Sequence, residues 1–148
     1  MNLKVITIKQ PWATLIALGE KRFETRSWQT KYRGKIAIHA GKSVDKKACD
    51  EDEIKRALLK HGISSYKDLP TGVILATANL IYCHKVKEDY GKVGKIAVTE
   101  SGLIIKGDEY CFGDYTEGRY AWELSNVERL AESVPAKGQL SLWEWQLF

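Results

Sequence analysis

Gly72-Val73-Ile74-Leu75-Ala76-Thr77-Ala78-Asn79-Leu80-Ile81-Tyr82-Cys83-His84-Lys85-Val86 is apolar on both alternating faces, with Val73, Leu75 and Thr77 on one and Ile74, Ala76 and Ala78 on the other. A strand covered on both sides reads this way, so the stretch predicts the central strand of a sheet.

Several shorter strands flank it. Leu3 to Lys9 alternates β-branched and polar residues, Lys35 to Ala40 alternates Ile36 and Ile38 against Ala37 and His39, and Phe23 to Trp28 is extended. Beyond the central stretch, strands are expected at Lys95 to Val98, Leu103 to Ile105, Tyr120 to Leu124, Val127 to Leu130 and Leu140 to Phe148. A tight turn at Tyr32 to Gly34 is read as setting Lys35 to Ala40 beside the strand that carries Arg26.

Helical signals are fewer. Trp12, Leu15 and Ile16 follow Pro11 at i, i+3, i+4 spacing, and Gly19 is placed to close a short helix over Pro11 to Leu18. Ser43 is read as a cap, and Asp50 with Glu53 as a capping box ahead of Ile54, Ala57, Leu58 and His61, with Gly62 as the stop. Many strands, few helices and no βαβ alternation give an α+β class and a mostly antiparallel sheet closing into a small barrel. At 148 residues and 44% hydrophobic content, one domain spanning residues 1–148 is expected.

No apolar run is long enough to span a bilayer and no signal-peptide core opens the chain, so a soluble, cytoplasmic protein without a membrane partner is expected. Cys49, Cys83 and Cys111 form no CxxC pair and leave an odd count, which argues against disulfides and structural zinc. No HExxH, Ser-His-Asp order or Asp-rich cluster stands in the sequence and the three histidines are scattered, so neither metal-dependent nor serine-hydrolase chemistry is expected, and no cofactor.

Net charge is +4, but residues 1–47 carry 11 Lys and Arg against 3 Asp and Glu, leaving the remainder net acidic. Such asymmetry alone would be read as a solvated face. Lys21, Arg22 and Arg26 with Trp28 change that reading. On an extended segment Glu24, Arg26 and Trp28 share a face, where a guanidinium can hold a phosphate, an indole can stack a base and a carboxylate can accept from an amino group. The competing reading is a surface Glu24–Arg26 ion pair with Trp28 in the core. His39-Ala40-Gly41-Lys42-Ser43 reads as a strand end, a glycine turn and a helix cap, a one-phosphate site without the remainder of a Walker loop, since Ile36 stands where the first glycine would be. Tyr120 and Trp122 share one face of their strand.

Ile8-Lys9-Gln10-Pro11-Trp12-Ala13, Gly19-Glu20-Lys21, Glu24-Thr25-Arg26-Ser27-Trp28, Tyr32-Arg33-Gly34, Ile38-His39-Ala40, Gly72-Val73-Ile74 and Tyr120-Ala121-Trp122-Glu123-Leu124, in that order, resemble the ASCH domain. The likeness is weakest between Lys85 and Gly118, and its most specific part is the Gly-x-Lys-x-x-Glu-x-Arg string. It implies a PUA-like β-barrel with flanking helices and a cleft that receives RNA or a modified nucleoside. Carried over by position, the cleft would hold Lys21, Glu24, Arg26 and Trp28, with Arg33, His39, Lys42 and Tyr120 as neighbours and Gln10 and Pro11 at its rim.

One branch of the family is similar to an amidohydrolase that deacetylates N4-acetylcytidine with a lysine, a threonine and a distant glutamate. Lys21 matches the lysine, Glu24 stands at the threonine position, and the distant glutamate is left open among Glu88, Glu100 and Glu109. An enzyme of that kind, or a ribonuclease, would work through Lys21 and Glu24. Other members are RNA-processing factors or domains of transcriptional coactivators, and the fold alone does not choose among these roles.

Overall fold

A computed structural model describes residues 2–146. The chain runs β1 (Asn2–Gln10), α1 (Trp12–Ala17), β2 (Phe23–Arg26), β3 (Gly34–Val44), α2 (Lys46–Cys49), α3 (Asp52–Lys60), a 3-10 turn at Tyr66–Asp68, and β4 (Val73–Asp89). There follow α4 (Gly91–Gly94), β5 (Ile96–Thr99), β6 (Ile104–Lys106), α5 (Gly107–Cys111), β7 (Tyr120–Pro135) and β8 (Leu142–Gln146). The class is α+β and dominated by sheet.

The stretch that is apolar on both faces is indeed central. β4 is 17 residues long and lies between β3 and β7 in the order β2-β7-β4-β3-β1-β8, with β5 and β6 added beyond its C-terminal half. Every pair is antiparallel except β1 with β3, whose connection passes through α1 and β2.

Five expectations need correction. The ladder is not closed into a barrel: β2 and β8 are its unpaired ends. Lys35 to Ala40 is in the same sheet as Arg26 but not beside it, because the β2 edges are taken by β7 on one side and none on the other. Residues 41–44 are strand rather than glycine turn and helix cap, since β3 continues to Val44 and Gln10 pairs with Val44. The helical region begins instead at Asp45, whose side chain accepts the Ala48 N–H, and α3 starts at Asp52 rather than from an Asp50 capping box. Tyr120 to Leu124 and Val127 to Leu130 are one strand, β7, bent at Asn126 with φ +52°. The last predicted strand is seen as β8; Leu147 and Phe148 lie outside the described residues.

α1 packs Ala13 and Ile16 onto the sheet against Ile36, Ile38, Ala40, Leu80, Trp122 and Leu124. α3 buries Ile54, Ala57 and Leu58 against Leu15 and Phe112, a stripe of three side chains at i, i+3, i+4. Gln10 holds α1 in place: its Oε1 accepts the Thr14 N–H at 2.9 Å and its Nε2 donates to the Pro70 carbonyl oxygen at 2.8 Å. The side chain expected at a cleft rim is therefore fully buried.

Candidate functional site

The turn closing α1 fixes the first residue of the site. Gly19 takes φ +79°, and the N–H groups of Glu20 and Lys21 both donate to the Leu15 carbonyl oxygen, which points the Lys21 side chain inward. Lys21 is 1% exposed, and its Nζ donates to the carbonyl oxygen of Phe112 at 2.8 Å, at the end of α5. Three residues on, Glu24 Oε1 lies 4.0 Å from Nζ while Oε2 accepts from Arg26 Nε at 2.9 Å. Arg26 Nη2 donates onward to the Thr7 carbonyl oxygen in β1 at 2.7 Å.

These groups floor a cleft of about 830 Å³. Trp12, Trp28 and Phe112 are the aromatic residues of its lining. Trp28 is half-buried, edge-on to the buried Trp122 with centroids 4.8 Å apart, and Trp122 Nε1 donates to the Trp28 carbonyl oxygen at 3.2 Å. Around the mouth stand Lys9, Lys42 and Lys92, all exposed and in no ion pair among the described residues, together with Arg119. Six cations face three carboxylates, Glu24, Glu51 and Asp114, so the lining is net positive.

Burial pushes the Lys21 ammonium below its ordinary value; Glu24 and Glu109 oppose the shift and Arg26 adds to it. Burial likewise raises Glu109, against Lys21 and against two backbone N–H groups, Arg22 and Phe23, which donate to its carboxylate. The buried amine thus sits between two carboxylates. Arg22, next to Lys21 in the chain, turns outward and pairs with Glu109 at 3.7 Å.

Of the sequence-derived site, Lys21, Glu24, Arg26, Trp28 and Lys42 line one cleft. Three others do not. His39 lies on the other face of β3, 1% exposed, with Nε2 2.7 Å from the Ala136 carbonyl oxygen and Nδ1 3.1 Å from Thr7 Oγ1. The carbonyl can only accept, so the proton is on Nε2 and Nδ1 accepts from the threonine. Arg33 is exposed in the loop after β2, donating to the carbonyl oxygens of Thr30 and Tyr32 with its guanidinium 5.3 Å from the Tyr82 ring. Tyr120 pairs with Arg26 across β2 and β7 but packs into the core cluster rather than the cleft.

Missed by the sequence reading as cleft residues are Lys9, Trp12, Lys92, Phe112 and Arg119; Lys92 and Phe112 come from the stretch between Lys85 and Gly118, where the pattern is weakest, and Arg119 from just beyond it. Glu109 comes from the same stretch. Of the three glutamates left open it is the one whose charge bears on Lys21.

The ASCH domain model matches residues 6–133 of the chain. The chain is also 34% identical over 144 residues to activating signal cointegrator 1 of Homo sapiens and 26% identical over 141 residues to activating signal cointegrator 1 of Mus musculus. In both cases 94% of this chain is matched, and it spans 22% of the relative's length.

Proposed function

The chain belongs to the ASCH domain family, and from that premise we propose that it binds single-stranded RNA or a modified nucleoside in the cleft floored by Lys21, Glu24 and Arg26. The observation that carries this reading is the meeting of a buried donor and acceptor pair, Lys21 Nζ and Glu24 Oε1 at 4.0 Å, with the indoles of Trp12 and Trp28 in one cleft. A base between the indoles would gain about 1–3 kcal/mol from stacking. Lys21 offers donors to a ring carbonyl and Glu24 Oε1 an acceptor to an amino group, while Lys9, Lys42 and Lys92 face the phosphates.

Tryptophan fluorescence titrated with single-stranded RNA, duplex RNA and N4-acetylcytidine tests the reading. Saturable quenching by the single strand or the nucleoside supports it. Equal or better binding by duplex, or no quenching by any of the three, would move the basic face to a protein partner, in keeping with the name of the cointegrator relatives.

A second reading, amidohydrolase chemistry on the same ligand, is favoured by the lowered proton affinity of Lys21 beside Glu24, which is what an amine used as a base or nucleophile requires. Glu109, whose charge also bears on that amine, would take the place of the distant glutamate. Product analysis after incubation with N4-acetylcytidine separates it from binding alone: loss of the acetyl group in wild type, absent in Lys21→Ala and Glu24→Ala, supports the enzyme.

A further inference from the structure

On the face of β4 and β7 away from the cleft, three side chains are joined end to end. His84 Nε2 lies 2.7 Å from Glu123 Oε1, and His84 Nδ1 lies 2.6 Å from Ser101 Oγ. Ser101 Oγ is in turn 2.7 Å from the hydroxyl of the buried Thr99. None of these residues lines the 830 Å³ cleft.

A carboxylate accepts, so Nε2 of His84 carries its proton and Nδ1 is left as the ring's acceptor, to which the Ser101 hydroxyl donates. The Thr99 oxygen accepts the Leu103 N–H at 3.0 Å, and its one proton is shared between Ser101 Oγ at 2.7 Å and the Leu103 carbonyl oxygen at 3.4 Å. The arrangement is held by the fold: Glu100 N–H donates to the Lys85 carbonyl oxygen beside His84, and Gly102 N–H closes the turn on the Thr99 carbonyl oxygen. His84 is 8% exposed, packed against the rings of Tyr82 and Phe23, whereas Ser101 stands exposed at the tip of the β5–β6 turn.

A hydroxyl within hydrogen-bond reach of an imidazole that a carboxylate orients is the signature of an activated nucleophile. We propose that Ser101, with His84 as its base and Glu123 as the positioning residue, is a second reactive site that takes activated esters of small acyl groups. The Tyr82 ring, 48% exposed and 4.7 Å from the His84 ring, supplies the apolar wall for the acyl group.

Ser101 Oγ attacks the ester carbonyl carbon as its proton passes to His84 Nδ1. The carbon–oxygen bond to the leaving group then breaks, and the departing alkoxide takes that proton to leave as the alcohol. Water repeats the sequence on the acyl-serine, giving up a proton to Nδ1 and releasing the carboxylic acid and the free hydroxyl. Glu123 accepts from Nε2 throughout and steadies the imidazolium.

The test uses the full chain with p-nitrophenyl acetate and with diisopropyl fluorophosphate, read by nitrophenol release, intact mass and peptide mapping. One acetyl or phosphoryl adduct per chain, mapped to Ser101 and absent in Ser101→Ala, is expected. His84→Asn should slow acylation about 100-fold, and Glu123→Gln should slow it too, with part of the rate restored in Glu123→Asp. Should His84→Asn not fold, Ser101→Cys provides the check: iodoacetamide should alkylate Cys at 101 faster with Glu123 present than in the Glu123→Gln background. Adducts on lysines alone, no adduct, or rates indifferent to His84 and Glu123 would overturn the proposal and leave the three as a structural network.

Discussion

Arg26 Nη2 donates to the carbonyl oxygen of Thr7 at 2.7 Å, so the edge strand β2 is tied to β1, on the far side of the open ladder, by a side chain rather than by backbone pairing. The same guanidinium holds Glu24 Oε2 at 2.9 Å. The cleft lining and the tie between β2 and β1 therefore share one residue, which alters what its removal should do.

A cleft arginine read from sequence alone contributes charge and fork geometry rather than packing, so on that reading Arg26→Ala would spare the fold. The structure predicts otherwise: losing two charge-assisted hydrogen bonds, one to Glu24 and one to Thr7, should cost about 2 kcal/mol of stability together with at least tenfold in affinity for single-stranded RNA. Urea denaturation and fluorescence titration on the same sample check both. Arg26→Lys, which cannot reach both partners with a planar fork, should fall between wild type and alanine.

Trp28 separates packing from recognition in another way. Its edge-on contact with Trp122 is worth about 0.5–1.5 kcal/mol beyond area burial, and its face toward the cleft about 1–3 kcal/mol of stacking per base. Trp28→Phe should keep most of both and Trp28→Ala should lose both. A Trp28→Ala variant with reduced stability and unchanged affinity would make the indole a core residue only.

Lys21 gives a pH signature. Its folded proton affinity lies below the ordinary lysine value of 10.5, chiefly through burial, so at low pH both states are protonated and the folded state bears the full cost of a buried ammonium. As pH rises through the lowered value, the folded chain releases the proton while the unfolded chain keeps it until about 10.5. Unfolding free energy must rise over that interval. Lys21→Met should abolish this contribution. Denaturation of the two proteins at matched pH up to 10.5 should show wild type gaining on the variant as pH increases, and parallel curves would mean that Lys21 is not desolvated as described.

How much of this was legible depends on where each side chain's signal comes from. β4 was readable because apolar residues on both faces need no partner to be interpreted, and the Gly-x-Lys-x-x-Glu-x-Arg string because its four residues fall on one turn and one strand. β3 was cut short because Gly41, Lys42 and Ser43 are turn-type residues. The strand persists there because β1 lies so close that a Cβ at Gly41 would meet Thr7 Cγ2 at 3.0 Å, a demand imposed by another strand. His39 illustrates the converse. Its alternation with Ile38 and Ala40 already placed it on the other face, and the positional likeness to the family did not override that periodicity. Phe112 and Arg119 could not be found at all, since their place beside Lys21 and Thr25 comes from contacts 91 and 94 residues apart in the chain.

Salt dependence tests the cleft as an electrostatic surface. Lys9, Lys42 and Lys92 come from β1, β3 and α4, three separate elements, yet all line the same mouth, exposed and without ion pairs among the described residues. If they face phosphates, each contact releases condensed counterions on binding, and the logarithm of the association constant should fall with the logarithm of salt with a slope of about −0.7 per phosphate neutralised on a single strand. Replacing any one of the three by alanine should weaken binding whatever the base sequence and make the slope shallower by about that amount. Lys55, exposed on α3 and outside the cleft, serves as the control, and Lys55→Ala should leave the slope where it is. The measurement is a fluorescence titration of the four variants and wild type across a series of salt concentrations. A slope that changes equally for Lys55 and for the three cleft lysines would mean that RNA is attracted to the chain's charge in general, with no preferred path. A slope that changes for none of them, with affinity still lost in Lys21→Met, would mean a ligand without phosphates, a nucleoside held by the buried floor alone.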